Sequence, residues 1–286
     1  MRIALASARE LPRPDADLPC LAAAAAARGW VCETLAWDDP GAWCREHDLV
    51  LVRSTWDYLS KLKAFRAWIA GAAGTARMVN APQVMLWNLH KNYLLDLSRE
   101  GVPIVATTAV RSGEQPDWGA LFGVHGELVL KPAESAGSFA TIRVADGDEG
   151  SARSHRAEHA ERAFLVQPFL PSVLDRGETN LIFIGGRFSH AVRKGARWAG
   201  EPEQSRGLVE PTGDEVEVAE AVLAATRRLG HGTPAYARID LAIGRCGRPL
   251  LMELELVEPQ LFLDRAPGSA DQLLDAALAA IGRTGC

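Results

Sequence analysis

Apolar residues in the first third of the chain come in short runs, not at helical spacing. "RIALAS" (2–7), "WVCETLAW" (30–37), "DLVLVRST" (48–55) and "ARMVN" (76–80) read as strands. Between them, residues 15–29 and "KLKAFRAWIAGAAG" (61–74) carry helix patterns. Near-continuous apolar strands alternating with helices predict a parallel sheet covered on both faces. Binding residues in such sheets gather where strands end, and "RSTWDY" (Arg53–Tyr58) sits directly after "LVLV". Charge, hydroxyls and aromatics at a strand exit fit either a ligand loop or a capped turn with a packed Trp.

From residue 88 the pattern changes. "NLHKNYLLDLSREG" (88–101) reads as one amphipathic helix closed by Gly101, and "VPIVATTAV" (102–110) as a strand. A short helix is expected over 116–123, and "GELVLKPA" (126–133) is a strand entering the small-residue loop "ESAGSFAT" (134–141). A solvated helix over 146–162 precedes the apolar "AFLVQPFL" (163–170). "TNLIFIGGRFSHAVRKG" (179–195) is a hairpin around Gly185–Gly186, and 200–213 reads as a loop.

"YARIDLAI" (236–243) and "PLLMELEL" (249–256) flank the turn "GRCGR" and form a second hairpin. With a symmetric turn, Asp240 lies opposite Glu253 and Arg238 opposite Glu255. One face then carries these four charges; the other carries Ile239, Leu241 and Ile243 with Met252, Leu254 and Leu256. A one-residue slip would turn the charges into the core. Opposed like charges destabilise a sheet, and Arg238 balances only one of three carboxylates. A hard divalent cation held by Asp240, Glu253 and Glu255 resolves the conflict and would complete its shell with substrate phosphates; a solvent-facing strand with Arg–Glu pairs is the plain alternative.

The chain has no GxxxxGK[ST] and no GxGxxG. Lys131 interrupts an apolar strand and Lys91 opens the 88–101 segment; each suits a phosphate, or is a snorkelling surface lysine. Ser135, Ala136, Gly137 and Ser138 have so little bulk that their backbone N–H groups could close over phosphate oxygens. Arg193 and Lys194, at a strand end, suit a γ-phosphate or an acyl phosphate. His190 reads as a hydrogen-bonded strand histidine more than a catalytic one; most tryptophans read as packing residues, and Trp87 and Trp198 are open to either packing or ligand contact.

Composition narrows the setting. A 286-residue chain with 48% hydrophobic and 23% charged residues is ordinary for a globular protein. Its net charge of −5 offers no footprint for nucleic acid or lipid. No stretch approaches the ~20 apolar residues of a membrane span, and the N-terminus lacks a signal-peptide core. Five cysteines without CxxC spacing read as reduced thiols, so a cytoplasmic location is expected.

The order of parts resembles the ATP-grasp superfamily: Lys91, Lys131 with its loop, "LVQPF", "GETN", "HAVRKG" and "RIDLAI…LLMELE". The resemblance implies an α/β protein built as α+β lobes. An N-terminal parallel-sheet substrate domain (1–88) would precede a central lid-bearing lobe (89–166) and a C-terminal nucleotide and metal lobe (167–286). It implies ATP as the nucleotide, with Mg²⁺ or Mn²⁺. Lys91 and Lys131 would touch the phosphates under a 135–138 lid; Gln167, Pro168 and Phe169 would line the adenine slot, and Glu178 would take the ribose hydroxyls. Arg193 or Lys194, with Arg238, would steady the transferred phosphoryl group. The third metal position is usually Asn in D-alanine–D-alanine ligase and glutathione synthetase, and Glu255 departs from that pattern. "RSTWDY", "WNLHKNYLLDL", "LVLKPAESAG", "VQPFLPSVLDRGE", "FSHAVRKG" and "ELELVEPQLFL" look like the group that includes the D-cycloserine-forming cyclo-ligase, which acts on O-ureido-D-serine. A carbon–nitrogen ligase for a small amino-acid-like substrate is implied. Arg53, Ser54, Thr55 and Asp57 would anchor that substrate while Trp56 and Tyr58 shape its pocket. A phosphotransferase on the same scaffold and a non-catalytic nucleotide-binding protein are the rivals. Partners are expected to be small molecules, with no nucleic acid or membrane, and a homodimer is compatible.

Overall fold

The computed structural model describes residues 1–42, 47–72, 77–195 and 205–282. Cys44, Cys286, Trp198 and the first part of the 200–213 loop lie outside the described residues. The architecture is mixed α/β, with one parallel sheet and two antiparallel sheets.

Strands β1 (Arg2–Ser7), β2 (Val31–Ala36), β3 (Leu49–Ser54) and β4 (Met78–Val79) form the parallel sheet, in the order β2-β1-β3-β4. Helices α1 (Asp17–Ala27) and α2 (Leu62–Ala72) lie between its strands in sequence. Alternate residues of β1 serve separate cores: Ile3 and Leu5 pack with Leu21 and Ala25 of α1, Ala4 and Ala6 with Phe65 and Ile69 of α2. Both faces are dry, and that is why these strands read as unbroken apolar runs.

Next come α3 (Pro82–Asn88) and α4 (Tyr93–Arg99). The helix expected over 88–101 is shortened to α4, with a break at 89–92 separating it from α3. The break has a tertiary cause: the Lys91 N–H donates across to Ala133 O at 2.7 Å.

The second sheet contains β5 (Thr108–Val110), β6 (Leu128–Pro132), β7 (Ile142–Val144) and β8 (Phe164–Pro168), all antiparallel, in the order β5-β8-β6-β7. Helices α5 (Trp118–His125) and α6 (Glu149–Glu158) supply Trp118, Phe122 and Ala152 to its core. Only the end of the expected 102–110 strand joins this sheet. Its start is tied elsewhere, with the Val105 N–H donating to Leu251 O and the Leu251 N–H to Pro103 O. Pairing of β8 with β6 runs through Pro168, so the expected boundary at 166/167 falls inside a strand.

After the short α7 (Ser172–Asp175), the third sheet collects β9 (Glu178–Ile184), β10 (Arg187–Lys194), β11 (Ser205–Leu208), β12 (Tyr236–Ile243) and β13 (Pro249–Glu255). Their order is β11-β10-β9-β12-β13, all antiparallel. Strand β11 occupies part of the stretch expected to be loop. Helices α8 (Gly213–Thr226) and α9 (Ser269–Gly282) complete the chain. Both predicted hairpins form, and Arg238 pairs with Glu255 and Asp240 with Glu253 as the symmetric turn requires. Beyond Asp240 the register shifts, so Leu241 pairs with Leu251 and Ala242 with Leu250. The bulge corrects one expectation: Met252 does not join the apolar face but packs with Leu250, Val129, Val105 and Phe169.

The first and third sheets share one core, in which Ile3, Leu5 and Val79 meet Ile182, Ile184 and Leu273. Polar ties cross the same junction. The Tyr236 hydroxyl lies 3.2, 3.1 and 2.9 Å from the carbonyls of Val52, Val79 and Val257. Asn80 donates to Tyr236 O and Leu256 O, each at 2.9 Å, and accepts from the Ala235 N–H.

Candidate active site

One cleft opens where the three sheets meet. Lys91, Lys131, the 135–138 loop, Gln167 to Phe169, Glu178, Lys194, Arg238, Asp240, Glu253, Glu255, Trp56 and Tyr58 all line it. Each comes from an element with its own reason to be there.

Lys91 lies in the turn between α3 and α4, where its buried ammonium donates to Ser135 O at 3.1 Å and pairs with Glu253. Lys131 enters from the edge of β6, with its Nζ 3.5 Å from Met252 O. Desolvation weakens both charges, and the outcomes differ. At Lys91 the carboxylates, Glu253 foremost, outweigh burial and the pKa is raised. At Lys131 burial dominates and the pKa falls to about 8. Above them runs the loop from Ser135 to Ser138. Gly137 at φ +60° is followed by Ser138 at φ +61°, so two successive left-handed residues bend the loop at the cleft.

Toward the other end, Phe169 is buried with Val105, Leu170 and Val173, and the Gln167 amide donates to Thr107 Oγ1 at 2.8 Å. The bulged Met252 and Leu250 add to this apolar slot. Glu178 begins β9 at its rim, and burial pushes its carboxyl up to about 7 against the pull of Lys194.

The carboxylate face is present, and its cations stand within it. Arg238 donates two bonds of 2.9 Å to Asp240 and also pairs with Glu255. Lys91 and Lys131 hold the Glu253 carboxyl ionised despite its burial. Burial instead pushes the Glu255 carboxyl up, and Asp240 and Glu253 add to that push against Arg238. The Glu253 and Glu255 side chains keep 29% and 27% of their surface open, enough for a cation to reach them. Among the described residues, the three carboxylates do not gather as a set within 4.8 Å of one another; His155, Glu158 and His159 at the end of α6 do. The donor set still fits a hard cation, because it is all oxygen and two of its side chains keep open surface.

Several expected residues lie elsewhere. Arg193 and Lys194 alternate on β10, so only Lys194 faces the cleft. Arg193 donates to Thr179 Oγ1 at 2.7 Å beside Glu215 and Arg176. Arg53 is 1% exposed; it pairs with Asp17 and donates to Pro259 O. Ser54 donates to Asp15, Thr55 is fully buried, and Asp57 accepts from the Trp37 indole and Lys61. Of "RSTWDY", only Trp56 and Tyr58 line the cleft. His190 is the hydrogen-bonded strand histidine, 2.8 Å from Leu261 O. Trp87 packs on His231 and Tyr93, away from the cleft.

Sequence reasoning missed Glu258, a cleft carboxyl beside Tyr58 that burial pushes up to about 7. It also missed Arg13, Gln260 and Asn88. Asn88 clamps β13 by donating to Leu254 O and accepting from the Leu256 N–H, each at 2.8 Å. The available signal was the third Glu of "ELELVE", falling out of strand phase just before Pro259.

Comparison with known proteins follows from this geometry. Residues 3–80 match the family model for the N-terminal domain of D-cycloserine synthetase DcsG. The cycloserine biosynthesis protein DcsG of Streptomyces lavendulae is 31% identical over 267 residues, covering 87% of this chain and 88% of that protein. A crystal structure of D-cycloserine synthetase DcsG superposes with a TM-score of 0.90 at 29% identity, covering 98% of this chain and 100% of that one. D-alanine–D-alanine ligase from Bacillus anthracis, complexed with ATP, shares the fold with a TM-score of 0.67 at 17% identity, over 99% and 98% of the two chains.

Proposed function

The chain belongs to the D-cycloserine synthetase family of ATP-grasp ligases, and from that premise we propose that it activates the carboxylate of a small amino-acid-like substrate as an acyl phosphate. A nitrogen nucleophile, intramolecular in a ring closure of the cycloserine type, then displaces phosphate and leaves an amide-type bond. The observation that carries this reading is the arrangement of charge in one cleft. Lys91 and Lys131 stand beside the small-residue loop, and Lys194 and Arg238 stand beside Asp240, Glu253 and Glu255.

In this reading ATP lies with its base against Phe169, Met252 and Val105, and its ribose at Glu178. Lys91 and Lys131 hold the phosphate chain under Ser135–Ser138. Asp240, Glu253 and Glu255 would hold Mg²⁺, which would neutralise charge on the transferred phosphoryl group. Lys194 and Arg238 steady that group as charge spreads over its oxygens. The loop excludes water that would hydrolyse the anhydride. No side-chain nucleophile takes part; the protein aligns two reactants and balances charge. The division into three lobes is kept as part of the proposal, with the middle boundary moved past β8 to follow Leu170.

Two measurements test the reading. Phosphate release across an amino-acid panel, with mass spectrometry of products, should show a ligated product and inorganic phosphate. A stable phosphorylated product would mark a phosphotransferase instead. Asp240→Asn and Glu253→Gln should each lower Mg²⁺-dependent turnover by at least ~100-fold, a loss of about 2.7 kcal/mol of transition-state stabilisation. Near-normal rates in both would remove the metal assignment.

A further inference from the structure

Arg53 and Ser54, expected to bind substrate at the β3 exit, are consumed in a buried scaffold, and that scaffold presents Arg13 and Glu258 to the cleft. Asp17 accepts from Arg53 and from the Leu261 and Leu263 N–H groups at 2.6 and 2.8 Å. Arg53 donates to Pro259 O, and Ser54 donates to Asp15. These bonds stitch three segments together: the one after β1 (13–17), the β3 exit (53–58) and the chain after β13 (258–263). At the cleft end of this stitching stand one cation and one anion. Arg13 donates to Gln260 Oε1 at 2.9 Å and lies 4.6 Å over the Trp56 ring. Trp56 in turn donates from its indole to Glu258 O at 3.3 Å. Arg13, Trp56, Tyr58, Glu258 and Gln260 all line the cleft, at the side built from the first sheet.

Resting on the ligase reading above, we propose that Arg13 and Glu258 are the specificity pair for the acceptor substrate. Glu258 takes the ammonium of an α-amino acid, and Arg13 takes a planar oxygen acceptor, a carboxylate or a carbamoyl, at the substrate's far end. The carboxylate to be activated is thereby turned toward Lys194 and Arg238. Glu258 has the Tyr58 hydroxyl and the Lys91 charge near it, yet burial still disfavours its ionised form, and an incoming ammonium offsets that cost. A guanidinium placed over an indole, with one nitrogen held by an amide oxygen, is suited to a planar two-oxygen or oxygen–nitrogen edge. Neither residue has a part in holding the nucleotide, so their effects should separate from ATP affinity.

The test is calorimetric binding of O-ureido-D-serine, D-serine and D-glutamate, and of their deaminated 2-hydroxy counterparts, with and without AMP-PNP and Mg²⁺. The wild type should bind at least one amino acid at least tenfold more tightly than its 2-hydroxy counterpart. Glu258→Gln should erase that preference, and Arg13→Ala should weaken the ligand with the far-end acceptor at least tenfold, with Arg13→Lys recovering part. AMP-PNP binding should persist in all three variants, and each should keep a cooperative melting transition. Equal binding of amino and hydroxy ligands by the wild type, no binding of any panel member, or variants indistinguishable from wild type would overturn the pair. Failure of the underlying ligase reading would appear separately, as no heat from AMP-PNP in the wild type.

Discussion

Burial lowers the Lys131 pKa to about 8, whereas the Lys91 ammonium, packed against Glu253, is held above its ordinary value. The two lysines therefore answer pH differently. Phosphate oxygens placed beside Lys131 favour its charged form, so nucleotide binding near pH 8.5 should draw in a proton. Affinity should fall as pH rises through about 8, because the neutral amine must first be protonated. Near pH 6.5 Lys131 is already charged, and proton uptake through it should vanish. Titrations in buffers of differing ionisation enthalpy read this directly, and Lys131→Arg should abolish the uptake at pH 8.5. Lys131 was legible as a candidate because it interrupts an apolar strand, and Lys91 because it opens the 88–101 segment. Their unequal pKa values were not, since those depend on Glu253, 162 positions from Lys91.

At the scale of elements, β9 and β10 place Glu178 and Lys194 opposite one another, and Gly177 makes that approach possible. Gly177 has φ +80°, and a Cβ there would meet Lys194 O at 2.2 Å. Gly101 has φ +86° with nothing within 4 Å of its Cβ position. Gly101→Ala should therefore cost about 1 kcal/mol, the backbone penalty alone. Gly177→Ala should cost at least ~2 kcal/mol more in urea unfolding and should also displace Lys194, lowering turnover. Equal losses in the two variants would refute the steric argument. Both hairpins and the carboxylate register were legible from Gly-rich turns and alternating charge. The β13 bulge was not, because Leu250, Leu251 and Met252 are all apolar and leave no alternation to mark it. The break between α3 and α4 was likewise hidden, since its cause is a carbonyl at Ala133.

Across the whole molecule, the first and third sheets are held by a shared core and by a few buried polar ties. Tyr236→Phe should remove the one donor shared by three backbone carbonyls and cost about 1–2 kcal/mol, with the fold intact. Arg53→Met should cost more, about 3–5 kcal/mol, because it leaves Asp17 without its fully buried partner. Chemical denaturation checks both; a neutral Arg53→Met would show that the buried pair does not anchor the junction. Arg53 also shows how far a motif carries. Its residue type and place after a strand announced an ionic partner, and Asp17 and Pro259 O are that partner in place of a ligand.

By itself the sequence determined the parallel N-terminal sheet, the two hairpins, the opposition of Asp240 to Glu253, and the candidates for phosphate and metal. Those features depend on residues within one element or across one turn, where spacing alone places side chains. The tertiary structure alone decided that Lys194 and not Arg193 faces the cleft, that Lys91 pairs with Glu253, and that Arg53 is structural while Arg13 and Glu258 reach the cleft. Each of these depends on segments up to 247 positions apart, and side chains meeting over such distances are set by how the sheets pack.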